Sequence, residues 1–400
     1  MKYIVLLSDG MAGRPLEELG GRTTLEAAET PVMDRLAAKA EIGMAAMVPE
    51  GMAPGSDTAN LSVLGYDPKK YYTGRSPLEA LSIGAEMGES DVSFRCNLVT
   101  LTEEKGSYGE QRILDHSSGE ISTEESGILL DALKRELDRE GFDFYRGTSY
   151  RHLLICRGGR IMELTAPHDI LASQIGPYLP EDPVFREMME KSYEILKVHP
   201  INTERKRRGL NPANSAWFWG AGTKPSLSSF RERTGKRGAM ISAVDLLKGI
   251  AAGTGMDNIT VEGATGGLHT NYEGKADAAV KALLEDGYDF VYVHVEAPDE
   301  MGHLGSAPDK VAAIENVDGR VLGRMTEAMD RSGEDYRIMV LPDHPTPVCV
   351  RTHTSEPVPY LIYDSRKTLD GGHTYNEKEA AESGIVWKDG HCLLGHLLEL

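Results

Sequence analysis

The chain has 400 residues, 40% hydrophobic and 26% charged, which is ordinary for a globular protein and long enough for two domains. Its formal net charge of −19 argues against a nucleic-acid or anionic-membrane surface, because such partners need a basic face, but not against a small anionic substrate. Cys96, Cys156, Cys349 and Cys392 show no CxxC spacing, so neither a zinc knuckle nor a redox dithiol is expected, and a reducing cytoplasm is the expected location. The apolar run after Lys2 is too short for a signal peptide, and no run reaches membrane-spanning length.

Residues 2–8 read as a buried first strand, with Asp9 at its end and Gly10 and Gly13 allowing a tight turn. Thr30-Pro31 opens a helix through Met33, Leu36 and Ala40. In PGSDTANLSVLGYDP, Ser56-Asp57 sits where a helix through Leu61, Val63 and Leu64 begins. Ser56 then has two readings: an N-cap, or a hydroxyl beside a metal at a helix N-terminus, where free amides favour phosphoryl oxygens. In YYTGRSPLEALSIG, Arg75 is placed in a loop before a helix begun by Pro77, where its guanidinium can grip phosphate or carboxylate.

From about residue 91 the strand–helix alternation gives way to short strands and one or two helices. VSFRCNLVTL alternates as a strand, ILDHSSGEIS carries Asp115 and His116 in a polar turn, and GILLDALKRELDRE is helical. FDFYRGTSYRHLLICRGGRIMEL reads as paired strands joined at Arg157-Gly158-Gly159. Residues 91–190 are therefore expected to form an inserted α+β domain able to close over a substrate, with 1–90 and 191–400 forming the main domain. Arg95, Asp115, His116, Arg151 and His152 are its candidates to face a cleft. The charge run Glu204 to Arg208 reads as a solvated helix end, and NPANSAWFWGAGTKP as a rigid loop returning to the main domain.

GKRGAMISAVDLLKGIAAGTG reads as a strand, then a helix ending at Gly253. Its TGKRG is no P-loop, because Phe230 stands where Gly is needed and Arg237 where Ser or Thr is needed. KADAAVKALLEDG is an amphipathic helix, and the strand Phe290–Val295 follows it. Just beyond come Asp299 and His303, on one face of a helical turn. DKVAAIENVDGRVLGRMTEAM is one long helix. The run Ile338 to Leu341 stops at Pro342, with Asp343-His344 directly after it and His353 past a Pro-containing loop. PVPYLIY reads as another strand and SGIVWKDGHCLLGHLLEL closes with a helix.

Three strands thus deliver Asp or His to one edge, where side chains at the carboxyl ends of a parallel sheet converge. Asp9, Ser56, Asp299, His303, Asp343, His344 and His353 suit two divalent ions better than one, and paired ions about 3.5–4 Å apart serve phosphoryl transfer.

LLSDGMA, PGSDTANLSVLGYDP, YYTGRSPLEA, FRCNL, NPANSAWFWGAGTKP, ISAVDLLKGI, EAPDEMGH, LPDHPTP and THTSEPVPY resemble the cofactor-independent phosphoglycerate mutases, in their archaeal-type branch of the alkaline phosphatase superfamily. The resemblance runs nearly end to end. It implies an α/β, alkaline-phosphatase-like, doubly wound and mostly parallel sheet with helices on both faces, plus the smaller insert. It implies one ion on Asp9, Ser56, Asp343 and His344 and another on Asp299, His303 and His353. Manganese is the usual metal, with zinc, cobalt or magnesium as alternatives. Ser56 would take the phosphoryl group from 3-phosphoglycerate and return it to the 2-hydroxyl, without 2,3-bisphosphoglycerate. Arg75, Arg95, Arg151 and His152 would bind carboxylate and phosphate, Asp115 or His116 would move protons, and Lys236 would sit near the phosphoserine. Relatives in the branch proposed to be homoserine kinases would share the metal half, so a homoserine kinase-like enzyme or a phosphatase is the alternative.

Overall fold

The computed structural model describes residues 1–367, 369 and 372–399. The chain divides into two compact units, Met1–Tyr72 with Ser226–Leu400, and Thr73–Pro225.

The first unit is built on a sheet with strand order Val386–Trp387, Glu41–Ala45, Val358–Asp364, Tyr336–Leu341, Lys2–Ser8, Phe290–Val295, Gly238–Ile241 and Asp257–Asn258. Val358–Asp364 runs against both of its neighbours, and the other pairings are parallel. The central strands are largely apolar because both faces are covered. Ile4, Leu6, Val291, Val293, Ile338 and Val340 pack with Met33, Leu36, Ala279, Ile314 and Met325 from helices on one face. The intervening residues point the other way. There the Tyr292 hydroxyl reaches Asn60 in helix Ser56–Val63, and Arg337 Nη1 donates to the Leu397 carbonyl in helix Leu393–Glu399. The architecture is therefore the expected doubly wound α/β one, with helices on both faces.

Details of the helices differ from the sequence reading. The helix Asp245–Thr254 ends on Gly255, at φ 71°, rather than Gly253. The expected long helix is continuous from Ala307 to Ser332 but passes through a π-helical stretch, Val317–Gly323. Inside it, the buried Asp318 carboxylate accepts the N–H groups of Val32 and Met33.

The second unit is an antiparallel sheet with helices. Val92–Leu101 lies between Arg151–Cys156 and Ser215–Thr223, pairs at its end with Ile113–Asp115, and Phe142–Tyr145 extends the sheet beyond Arg151–Cys156. Its boundaries are wider than 91–190. NPANSAWFWGAGTKP is not a connecting loop: Ser215–Thr223 pairs with Val92–Val99, and Asn214 bonds both the N–H and the carbonyl of Leu101. At the other end, helix Arg75–Ser82 is tied in by the Ser76 hydroxyl, 2.9 Å from the Ser93 carbonyl. The hairpin Phe142–Tyr145 to Arg151–Cys156 turns through 146–150, not through Arg157-Gly158-Gly159. Arg205 is not solvated, because its guanidinium bonds the Asn211 and Ser118 carbonyls and pairs with Glu125.

Candidate active site

Strands Tyr336–Leu341, Lys2–Ser8 and Phe290–Val295 are neighbours, and their carboxyl ends carry the site. Asp9 follows the second directly. Asp343 and His344 follow the first across Pro342. Asp299 and His303 lie on helix Ala297–Leu304, which starts where the third ends. Gly10, at φ 59°, lets these segments close up: a Cβ there would lie 2.6 Å from both Asp299 Oδ1 and Thr346 Oγ1.

Two side-chain groups result, Asp9 with Asp343 and His344, and Asp299 with His344 and His353, the donor atoms of each lying within 4.8 Å of one another. His344 Nε2 is 3.4 Å from Asp343 Oδ2 and 3.7 Å from Asp9 Oδ1. His303 Nε2 lies 3.2 Å from Asp299 Oδ2 and 3.0 Å from His353 Nε2. His344 thus stands between two sets that the resemblance had kept apart.

Ser56 is the first residue of helix Ser56–Val63, but Gly55, which has no side chain to offer a capping bond, takes the N-cap position. The Ser56 hydroxyl instead lies 3.2 Å from His344 Nε2. Its neighbour Asp57 accepts the Tyr72 hydroxyl at 2.7 Å and the Thr58 N–H at 2.9 Å.

The electrostatics fit divalent cations. Asp9, Asp299 and Asp343 are all buried, and Asp9 Oδ1 has no hydrogen-bond partner. Burial and the charges of Asp343 and Asp299 push the Asp9 carboxyl well above its ordinary pKa. Burial also acts against Asp299, but its contacts with His303 and His353 outweigh that and hold it low. The bond to Asp299 raises His303 to about 9. A buried set of carboxylates and imidazoles with an unspent anionic oxygen is the donor chemistry that Mn²⁺ or Zn²⁺ takes.

Several residues behind this set were not singled out from the sequence, although Asn60 and Thr346 lie within the stretches PGSDTANLSVLGYDP and LPDHPTP. Asn60 Nδ2 donates to Asp343 Oδ2 at 2.8 Å while its oxygen accepts from Tyr292. His294 Nε2 is 3.0 Å from Asp9 Oδ2, and burial lowers its pKa to about 3, so it is neutral. Thr346 Oγ1 donates to Asp299 Oδ1. The buried Lys310 ammonium donates to the carbonyls of Ala12 and Thr346. His294 had one sequence signal, as an imidazole inside an otherwise apolar strand.

Lys236 does not join the site. It precedes strand Gly238–Ile241, so it stands at the amino edge of the parallel sheet, 5.0 Å over the Tyr3 ring.

In the second unit, Arg75, Arg95, Arg151 and His116 collect with residues the sequence did not single out. Arg95 stacks on Trp219 at 4.4 Å and ion-pairs with Glu79, which also pairs with Arg75. His168 meets Trp219 and His116 edge-on, and Tyr150 lies against both His116 and Arg151. His152 is absent from this group. Strand alternation turns it away from Arg151 into the buried side, where Nδ1 accepts the Gly147 N–H and burial lowers its pKa to about 3. Asp115 is committed to its turn: its carboxylate accepts from Ser117, Gly119 and Asn211, and these bonds hold its pKa low against the opposing effect of burial.

A family model described as 2,3-bisphosphoglycerate-independent phosphoglycerate mutase matches residues 37–202. The chain is 48% identical to the protein of that name from Methanosarcina barkeri, over 100% of both chains. It is 49% identical to the one from Methanosarcina acetivorans, over 96% of both. Among solved structures, a Pyrococcus horikoshii protein superposes with a TM-score of 0.82 at 31% identity, over 100% of this chain and 96% of the other. The cofactor-independent phosphoglycerate mutase of Thermoplasma acidophilum does so with a TM-score of 0.64 at 29% identity, over 100% of both. Likeness of this extent, over the whole length of the chain, places it in the 2,3-bisphosphoglycerate-independent phosphoglycerate mutase family.

Proposed function

We propose that this chain interconverts 3-phosphoglycerate and 2-phosphoglycerate through a phosphoserine at Ser56, with two divalent cations, manganese foremost, and without 2,3-bisphosphoglycerate. The observation that carries this reading is the Ser56 hydroxyl 3.2 Å from His344, beside buried Asp9 and Asp343, on a helix whose N-cap it does not serve. Asp9, Ser56, Asp343 and His344 would hold one cation and Asp299, His303 and His353 the other, with His344 near enough to serve either. Bound there, the cations would neutralise phosphate charge and lower the pKa of the serine hydroxyl.

The chain's own residues then have these parts. Ser56 Oγ, its proton released to solvent and taken back from solvent at the end of the cycle, forms a bond to phosphorus as the bond to the glycerate 3-oxygen breaks. His116 protonates that leaving oxygen, and Asp115 shapes the turn that carries His116 rather than moving protons itself. The bound glycerate then offers its 2-hydroxyl. His116 takes that proton back, phosphorus returns to the 2-oxygen, and Ser56 regains its hydroxyl, so no water or co-substrate is consumed. Arg75, Arg95 and Arg151 bind the anionic groups. No described helix is long and apolar enough to cross a membrane, and a small phosphorylated metabolite as substrate makes the cytoplasm the proposed setting.

The test is the purified chain with Mn²⁺ and 3-phosphoglycerate alone, followed by phosphorus NMR. Appearance of 2-phosphoglycerate without inorganic phosphate is expected. Failure to form it, together with phosphorylation of homoserine by ATP or release of inorganic phosphate, would overturn the reading.

A further inference from the structure

The Thr73–Pro225 unit contains a guanidinium fixed on two sides and unbonded at its tip. Arg95 stands directly across from Trp219 in the strand pairing, and the indole covers one face of its guanidinium at 4.4 Å. Arg95 Nε donates to Glu79 Oε2 at 3.0 Å. The other Glu79 oxygen accepts from Arg75 Nε at 3.3 Å, one helical turn back on Arg75–Ser82. One carboxylate thus ties two like charges together and restrains both. Trp219 is itself held, because its indole N–H donates to Asn97 Oδ1 at 3.1 Å.

The Arg95 side chain is only 8% exposed, yet among the described residues nothing bonds its Nη1 or Nη2. Both nitrogens stay open to a ligand, and withdrawing most of a guanidinium from water is costly unless an anion completes it. Two terminal guanidinium nitrogens in one plane match the two oxygens of a carboxylate. In the proposed reaction the glycerate must present first its 3-oxygen and then its 2-oxygen to phosphorus at Ser56, and a fixed carboxylate gives it the pivot for that turn. A rigid receptor suits the group that stays still.

On the basis of the mutase reading, we propose that Glu79 and Trp219 are positioning residues that hold Arg95 in place to receive the substrate's carboxylate. An interaction with a stationary group is equally strong in the ground and transition states, so losing it raises KM and spares kcat. Glu79→Gln and Trp219→Leu should each raise KM for 3-phosphoglycerate about tenfold, the worth of one charge-assisted hydrogen bond, with kcat changed less than about twofold. Arg95→Ala should raise KM at least as much, and adding Glu79→Gln to it should raise KM by less than about twofold more, because the two act through one contact. If Glu79 only repels the substrate anion, Glu79→Gln will lower KM, and that overturns the inference. So does an unchanged KM in both single variants, or an effect of Glu79→Gln that persists in full without Arg95. The two substitutions remove different supports, so either one decides if the other prevents folding. A wild-type chain that does not convert 3-phosphoglycerate overturns the mutase reading and this inference with it; an active wild type with insensitive variants overturns the inference alone.

Discussion

Ser56 separates two uses of the same side chain. A serine that caps a helix contributes about 1 kcal/mol through its bond to a backbone N–H, and removing it weakens the fold. Here Gly55 occupies the cap and the Ser56 hydroxyl bonds no amide of its helix, only approaching His344. Ser56→Ala should therefore shift stability by no more than about 0.5 kcal/mol, as for a side chain with no structural contact to lose. It should nevertheless lower kcat on the order of 10³-fold or more, as removal of a nucleophile does. Calorimetry beside a mutase assay checks both halves, and near-normal turnover in Ser56→Ala would exclude the phosphoserine. The serine and the carboxylates that gather near it were legible as candidates in the sequence because each lies within a few residues of the end of an apolar run or the start of a helix. His294 and Asn60 were not. What makes them matter is the face of strand or helix they occupy opposite Asp9 and Asp343, which depends on partners more than 280 positions away.

Among the elements, Val358–Asp364 is the strand that breaks the parallel order, and its end is locked by charge. Asp364 lies opposite Arg337, accepts from Arg337 Nε at 2.8 Å, and also bonds the Arg366 side chain; Arg337 continues to the Leu397 carbonyl and so anchors the last helix. The Asp364 and Arg337 side chains are 8% and 5% exposed. Burial pushes the Asp364 carboxyl up, but the bonds from Arg366 and Arg337 more than reverse this and leave it below the usual carboxylate range. A folded pKa below the unfolded value of about 3.9 gives stability that is present above that pH and lost as pH falls through the folded value. Asp364→Asn should cost about 3 kcal/mol at pH 7, since it strands a buried guanidinium, and the gap from wild type should narrow as pH drops below about 4. Urea unfolding at pH 7, 4 and 3 measures it, and a gap constant across that range would refute the assignment. Sequence patterns identified this strand but not its direction. Direction also decided Lys236, because a residue before a parallel strand sits at the edge away from the site. Ser215–Thr223 stayed hidden for a different reason: Gly220 and Gly222 blur its alternation, and its partner, Val92–Leu101, is remote in the chain.

Taken whole, the proposed mechanism draws its two chemistries from residues of different units. All seven proposed metal ligands belong to Met1–Tyr72 with Ser226–Leu400, while Arg75, Arg95, Arg151 and His116 belong to Thr73–Pro225. The existence of an insert was visible from the loss of strand–helix alternation, but its true limits were set by the pairing of Ser215–Thr223 and by Ser76 bonding to Ser93, neither of which leaves a local mark. The division makes a spatial prediction about metal loading. A cation that binds only the folded site stabilises it by about 2.7 kcal/mol at a hundred times its Kd, which is about a hundredfold in local opening. Buried carboxylates in mutual repulsion, with Asp9 Oδ1 unbonded, are the groups whose opening that cation would oppose. In hydrogen exchange, adding Mn²⁺ to the chelator-treated chain should slow amides in 9–13, 297–304 and 343–354 by up to that factor. Amides of the antiparallel sheet around Val92–Leu101 should change little, since none of the proposed ligands lies there. Equal slowing in both units would mean that the metal acts through the fold at large, and slowing confined to the Arg95 sheet would place the metal site elsewhere altogether.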